Sequence, residues 1–281
     1  LSIASMGADM ADINNDGKQE IFTTEMLPRD EARLKTTTSF ENHYVSKLKF
    51  DQGFYYQFQQ NCLQYNNGDG KFSEIANYAG VNASDWSWGA LMFDADNDGF
   101  NDIYVSNGIY HDVINQDFID FFANDLAQKL VMSGEKTKMD EIINHMPSNP
   151  IPNNFFRNNG NLTFSEQGEK FGFSTPSFSN GSAYADLDND GDLDLVVNNV
   201  NQICFVYQNH SDKDKSNHFL QINLKGDKNN EFAIGSKIEV YTKNGILTRM
   251  IAPSKGFQSS TEYKQTFGLG KSSVVDSIRI L

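Results

Sequence analysis

Three segments of the chain carry oxygen-bearing side chains at one fixed spacing: "GADMADINNDGKQEIFTTE" (7–25), "GALMFDADNDGFNDIYVSN" (89–107) and "GSAYADLDNDGDLDLVVNN" (181–199). Counted from the first aspartate of each loop, the groups fall at positions 1, 3, 5 and 9: Asp12, Asn14, Asp16 and Glu20; Asp94, Asp96, Asp98 and Asp102; Asp186, Asp188, Asp190 and Asp194. Alternate residues of a tight loop aim their side chains at one centre, and the glycine at position 6 (Gly17, Gly99, Gly191) lets the backbone reverse there. A backbone carbonyl from position 7 (Lys18, Phe100 or Asp192) adds a further oxygen. Six or seven oxygens at roughly 2.3–2.6 Å suit Ca²⁺ better than Mg²⁺, which keeps its water. The spacing therefore predicts about three Ca²⁺ sites.

An EF-hand starts in the same way but closes with a bidentate glutamate at position 12, between two helices. Position 12 is Thr23, Val105 or Val197, and the flanks "IYVSN" and "LVVNN" are β-branched, so the loops are expected between strands. The side chains of the three sites carry formal charges of −3, −4 and −4, and without a cation such carboxylates repel or hold protons. The whole chain of 281 residues has 23 basic and 37 acidic residues and a net charge of −14. That is the wrong sign for tracking nucleic-acid phosphates, so no nucleic-acid partner is expected. The five histidines form no HExxH and no close pair, and two cysteines supply no zinc spacing. No stretch nears the roughly 18 uninterrupted apolar residues of a transmembrane helix. The chain begins at Leu1 without a start methionine, and a fragment or mature piece is expected.

The elements that must carry the loops also repeat. A glycine stands five residues before each first aspartate, with a serine (Ser5, Ser87, Ser179) two before it. "NCLQYNNGDGKFSEI" (61–75) matches "NNFFRNNGNLTFSEQ" (153–167) at the 92-residue offset that also separates Asp94 from Asp186. "ICFVYQNH" (203–210) reads as a worn copy, with Tyr207 and Asn209 aligned to Tyr65 and Asn67 and Cys204 to Cys62; no disulfide is expected between the two cysteines. Strand-rich units of roughly 50 residues predict an all-β fold of β-propeller blades over residues 1–210. About three blades are visible, so upstream blades are expected to be missing or the array to be an open arc.

Two insertions interrupt the units, about 26–60 and 109–150. The aromatics of "GFYYQFQQ" in the first are expected to pack against the propeller rim, although they could also line a ligand surface. The second is helical by pattern: Ile114, Phe118, Phe122, Leu126 and Leu130 recur every four residues, and a shorter helix carrying Met139, Ile142, Ile143 and Met146 stops at Pro147. Residues 217–281 alternate apolar and polar positions in "NHFLQINLKG", "GSKIEVYTKNG", "ILTRMIAPSKGF" and "SVVDSIRIL", which predicts a separate small β-domain.

The three D-x-[DN]-x-D-G-x-x-[DE] loops with their leading glycines resemble the FG-GAP/VCBS repeats of integrin-α-type propellers. The tail, with "AIGSKIEVYTKNG", "SKGFQSS" and "TFGLGKSSVVDSIRI", resembles the ASPIC/UnbV domain, although such domains usually continue past "DSIRI". The insertions, with "TTEMLPRD" and "WSWGALMFDADNDGF", resemble long proteins of this kind from Bacteroidota. The resemblance implies calcium-dependent architecture at the cell surface or outside the cell, and no reaction. The expected function is a binding or scaffold module for a protein or glycan partner. The alternatives are a polysaccharide lyase or hydrolase on a calcium propeller and a structural segment of an outer-membrane assembly.

Overall fold

The computed structural model describes residues 1–37, 41–125, 128, 132, 143–213 and 217–281. Three antiparallel sheets follow one another along the chain. The first contains β1 (Ala8–Ala11), β2 (Glu20–Thr23), β3 (Cys62–Gly68) and β4 (Lys71–Glu74) in sequential order. The second repeats it with β5 (Ser87–Phe93), β6 (Asp102–Asn107), β7 (Asn154–Asn158) and β8 (Phe164–Glu166). The third has three strands, β9 (Ser179–Ala185), β10 (Asp194–Asn199) and β11 (Phe205–Tyr207), with β10 in the middle. The chain is thus mostly β, and the described residues form no closed ring of sheets.

Period-two alternation explains why the sheets stand side by side. In β6, Ile103 and Val105 enter one core with Phe22 and Leu63 of the first sheet, while Tyr104 enters a second core with Leu195 and Val197 of the third. Ala90 and Met92 of β5 face the first core, and Leu91 and Phe93 face the second. A strand buried on both faces needs apolar residues at consecutive positions, and "IYV" and "ALMF" supply them. The outer faces of the flanking sheets alternate differently: Met10 and Phe72 on the first and Val196 and Val206 on the third are exposed.

The registers also correct the reading of the worn copy. Ile21 pairs with Gln64, Ile103 with Phe156 and Leu195 with Tyr207, so Tyr207 stands where Gln64 does and Asn209 where Asn66 and Asn158 do. The alignment of Tyr207 with Tyr65 was one residue out, because a three-residue strand offers too little pattern to set register. Cys62 is buried and Cys204 exposed, and both are free.

The first insertion folds into α1 (Glu31–Thr37) and α2 (His43–Asp51). Arg33 of α1 ties it to Asp85 at 2.5 Å and Asp112 at 2.7 Å. Asn42 caps α2 by accepting from the Tyr44 N–H, yet α2 buries none of its residues. The expected rim packing of the aromatics is overturned: Phe54, Tyr55, Tyr56 and Phe58 are exposed. Residues 54–58 run along the N-terminal segment through backbone bonds from Phe58 to Leu1 and from Leu1 to Tyr56, and those bonds leave the rings outside.

In the second insertion, Phe118 is buried and stacks on Phe122, within a stretch of π-helix from Phe118 to Ala123. Leu126, Leu130, Met139 and Ile142 lie outside the described residues; Ile143 and Met146 close a final turn, with the Met146 N–H bonded to the Ile143 carbonyl.

The C-terminal region has its own core around Ile238, Val240, Leu247, Ile251 and Phe267. It consists of β12 (His218–Ile222) paired with β17 (Gln265–Gly270), and β13 (Lys237–Thr242) between β14 (Gly245–Met250) and β18 (Ser277–Ile280). A hairpin of β15 (Ser254–Lys255) and β16 (Ser259–Ser260) leaves this body and lies along the first strands of the three sheets. Gly256 pairs with Ala8 through two backbone bonds, Lys255 reaches Asp9 at 2.5 Å, and Phe257 packs on Trp88 at 4.9 Å between ring centroids.

Candidate metal-binding loops

Each loop joins the first two strands of its sheet, so strand pairing brings its two ends together: Ala11 pairs with Glu20, Phe93 with Asp102 and Ala185 with Asp194. Inside the loops the backbone turns left-handed twice, at position 4 (Asn15, Asn97 and Asn189, φ 60°, 57° and 62°) and at position 6 (Gly17, Gly99 and Gly191, φ 84°, 98° and 96°). Asparagine tolerates that region and glycine favours it. The first aspartate then caps the turn: Asp94 accepts from the N–H groups of Asp98 (3.1 Å) and Gly99 (2.9 Å), as Asp12 does from Asp16 (3.3 Å) and Gly17 (2.8 Å).

The position-9 carboxylate closes the loop and fastens it to the third strand. Asp102 accepts from the N–H of Ala95 at 3.1 Å and of Asn158 at 2.8 Å. Glu20 does the same with Ile13 and Asn66, and Asp194 with Leu187 and Asn209. Two acidic clusters suited to a metal ion emerge among the described residues, Asp94–Asp96–Asp102 and Asp186–Asp188–Asp190, each with ligand oxygens within 4.8 Å of one another. The first loop brings no such trio of carboxylates together; Asn14 takes the place of an acid there.

Two features test whether these residues fit a cation. Asn14 Oδ1 and Asp96 Oδ1, both at position 3, are buried acceptors with no donor, which is costly unless something positive completes them. Burial also makes the charge of these carboxylates costly. Burial, reinforced by Asp98, pushes Asp94 up to about 8; burial raises Glu20 to about 7; and burial with Asp96 lifts Asp102 well above the ordinary range. The donor set is all oxygen, and a hard divalent ion would relieve both costs.

Each loop also has an internal cation or donor on its outer side. Arg157 forks over Asp96 Oδ2 (2.7 Å) and Asp98 Oδ2 (2.6 Å), leaving the buried Asp96 Oδ1 without a donor. Gln208, at the equivalent place, donates to Asp188 Oδ2 at 2.7 Å. In the first loop Lys18 reaches Asp16 at 3.0 Å; burial pushes Asp16 up, but the Lys18 ammonium and N–H outweigh it and leave the carboxyl lowered. Phe100 bonds through its N–H to Asp98. The Asp192 side chain is buried and accepts from Asn97 of the second loop at 2.7 Å.

Within this frame, the FG-GAP-like repeat family matches residues 54–105 and 139–197. The chain carries FG-GAP-like repeats. The ASPIC and UnbV family matches residues 226–281, which places that domain in the C-terminal body. No curated protein gives a significant match.

The ASPIC/UnbV domain sits directly on the loops of the repeats. Ile246 N–H bonds to the Asn15 carbonyl at 3.4 Å, Gly270 N–H to the Asn97 carbonyl at 2.9 Å, and Lys237 to the Gly17 carbonyl at 2.9 Å. At the third loop, Gln221 and Lys264 both donate to Asp186 Oδ2, at 2.6 and 3.1 Å. Burial pushes Asp186 up, but these two partners outweigh it and leave the carboxyl lowered.

The loops are joined to one another by asparagines that the positions 1, 3, 5 and 9 do not include. Asn15 donates to the Gly99 carbonyl at 3.1 Å and Asn101 to the Asp12 carbonyl at 2.5 Å. Asn158 reaches the Ile13 carbonyl and Asn209 the Ala95 carbonyl, each from one sheet into the loop of the preceding one. The sequence signal for Asn15 is an asparagine at position 4 of all three loops and that for Asn158 is the "NN" at 66–67 and 158–159, whereas Asn101 and Asn209 share neither. Lys264 and Gln221 had none, because nothing local marks a residue that meets a loop more than thirty positions away.

Proposed function

We propose that this chain is a calcium-stabilised binding module, working outside the cell or at its surface, which presents its first insertion to a protein or glycan partner. The observation that carries this reading is the set of rings left in solvent beside α2: Tyr44, Tyr55 and Tyr56 are 81%, 80% and 65% exposed, with Phe50, Phe54 and Phe58 alongside. Tyrosine offers a large, stiff apolar face with a polar tip, which suits recognition. The helix buries none of its residues, and even Phe50, which packs on Tyr56 at 5.0 Å between ring centroids, stays 52% exposed, so this apolar surface is left for an outside partner.

Calcium is supported by the two acidic clusters and the donorless position-3 oxygens, and a modest-affinity site is filled at extracellular calcium levels. The exposed Met10 and Phe72 of the first sheet and Val196 and Val206 of the third support further blades of a propeller. Calcium serves here as a clasp rather than a catalyst, since the ASPIC/UnbV domain covers the loops where a catalytic metal needs an open face. The test is a glycan array and a pull-down in calcium, comparing the intact chain with Tyr55→Ala/Tyr56→Ala. Retained binding by the double variant, or no calcium requirement, would overturn the reading.

A further inference from the structure

Among the described residues, the ion pairs on the second and third loops come from different places. In the second, Arg157 belongs to the same sheet and holds one oxygen each of Asp96 and Asp98, leaving Asp96 Oδ1 without a donor. In the third, the cation belongs to the other domain: Lys264 Nζ lies 3.1 Å from Asp186 Oδ2, with a side chain that is largely buried against a fully buried one. Gln221 shares the same oxygen, and Asp186 Oδ1 already accepts from the Asp190 N–H at 3.1 Å. Asp186 is also the first residue of the Asp186–Asp188–Asp190 cluster, so its carboxylate is wanted from two sides. A second acceptor stands ready: Glu262 Oε2 is 3.8 Å from the same ammonium, while Glu262 Oε1 accepts the Asp186 N–H at 3.0 Å.

We propose that Lys264 is a latch on the third loop: its ammonium and a divalent cation compete for the Asp186 carboxylate, and when the metal binds the ammonium passes to Glu262. This rests on the reading of the loops as calcium sites. Two cations on one carboxylate repel each other, and lysine's flexible stem lets its charge move where a rigid guanidinium fork would not. The ASPIC/UnbV domain therefore sets the calcium threshold of the third loop, holding it weaker than its four aspartates alone would make it. The domain stays docked through the handover, because its contacts on the first two loops run to the backbone carbonyls of Asn15, Gly17 and Asn97 and use no carboxylate oxygen.

Calcium titration calorimetry on the chelator-stripped full chain tests this with three substitutions. Lys264→Met is expected to tighten one binding step about fivefold or more, fivefold being the top of the range for an exposed ion pair and this pair being largely buried. Lys264→Gln, which keeps a donor and loses the charge, should do the same if the methionine variant folds poorly. Glu262→Gln is expected to act in the opposite direction, because the displaced ammonium then has no second carboxylate. Lys225→Met, an exposed lysine of the same domain, removes an equal charge elsewhere and should leave every step within about twofold. Unchanged steps in both Lys264 variants, or equal tightening in Lys225→Met, would overturn the latch while leaving the calcium reading intact. No calcium bound by the unsubstituted chain would overturn both.

Discussion

Asn158, at the end of the third strand of the second sheet, donates its side-chain amide to the carbonyl of Ile13 in the first loop at 2.9 Å. The same amide reaches the Asn101 carbonyl at 2.9 Å, and the Asn158 N–H caps Asp102. One buried asparagine thus fastens two loops and the seam between two sheets. Asn158→Leu strands both carbonyls and is expected to cost about 1–3 kcal/mol by denaturant unfolding. Asn159→Ala, one residue further and exposed, should stay within about 0.5 kcal/mol. Equal effects would remove the seam from the account.

Asp9 occupies a position on β1 where the second and third sheets carry Leu91 and Ala183. Its charge is buried and met by Lys255 of the hairpin and by the Met92 N–H at 2.7 Å. Removing one partner of such a pair leaves an uncompensated charge, so Lys255→Met should cost about 3–5 kcal/mol. Asp9→Leu combined with Lys255→Met should recover much of that loss, because leucine is what the second sheet already buries at this place. A double variant no more stable than Lys255→Met alone would contradict this.

A Cβ on Gly268 would meet Asp94 Oδ2 at 2.0 Å and the Asn97 backbone at 2.6 Å. The neighbour is loop backbone that cannot retreat without breaking the Gly270–Asn97 bond. Gly268→Ala is expected to lower stability by about 1–3 kcal/mol and to weaken calcium binding at the second loop. Unchanged stability and calcium affinity would mean that the two domains do not bear on each other there.

In chelator, stability should fall as pH rises. The folded protein holds Glu20 and Asp94 protonated up to about 7 and about 8, whereas the unfolded chain releases those protons near 4. Between these limits the folded state binds more protons, so its advantage is full at acid pH and is lost as pH rises through the folded values. Melting temperatures in EDTA are expected to drop from about pH 5 to about pH 8.5, and calcium should flatten the trend by holding the carboxylates charged. A chelated protein that melts at one temperature throughout would show that these carboxylates are not strained.

Much of the repeat architecture was legible because it is local. Position spacing within nine residues sets which oxygens can converge, and alternation in "ALMF" and "IYV" announces a sheet covered on both faces. The four-residue spacing of Phe118 and Phe122 gave a helix, but not its wide turns, since apolar period does not distinguish one helical hydrogen-bond pattern from another. The aromatics of residues 54–58 read equally well as core or as surface, because side-chain type says nothing of what lies opposite.

The order of oxygens along each loop, the β class and the two regions of the chain follow from the residues alone, through backbone geometry and hydrophobic period. That Lys264 meets Asp186, Lys255 meets Asp9, and the C-terminal body covers the loops depends on contacts 78 and 246 residues apart. Such contacts follow from how whole sheets pack, where each side chain's partner is chosen by the fit of every other, and no short window of sequence contains that information.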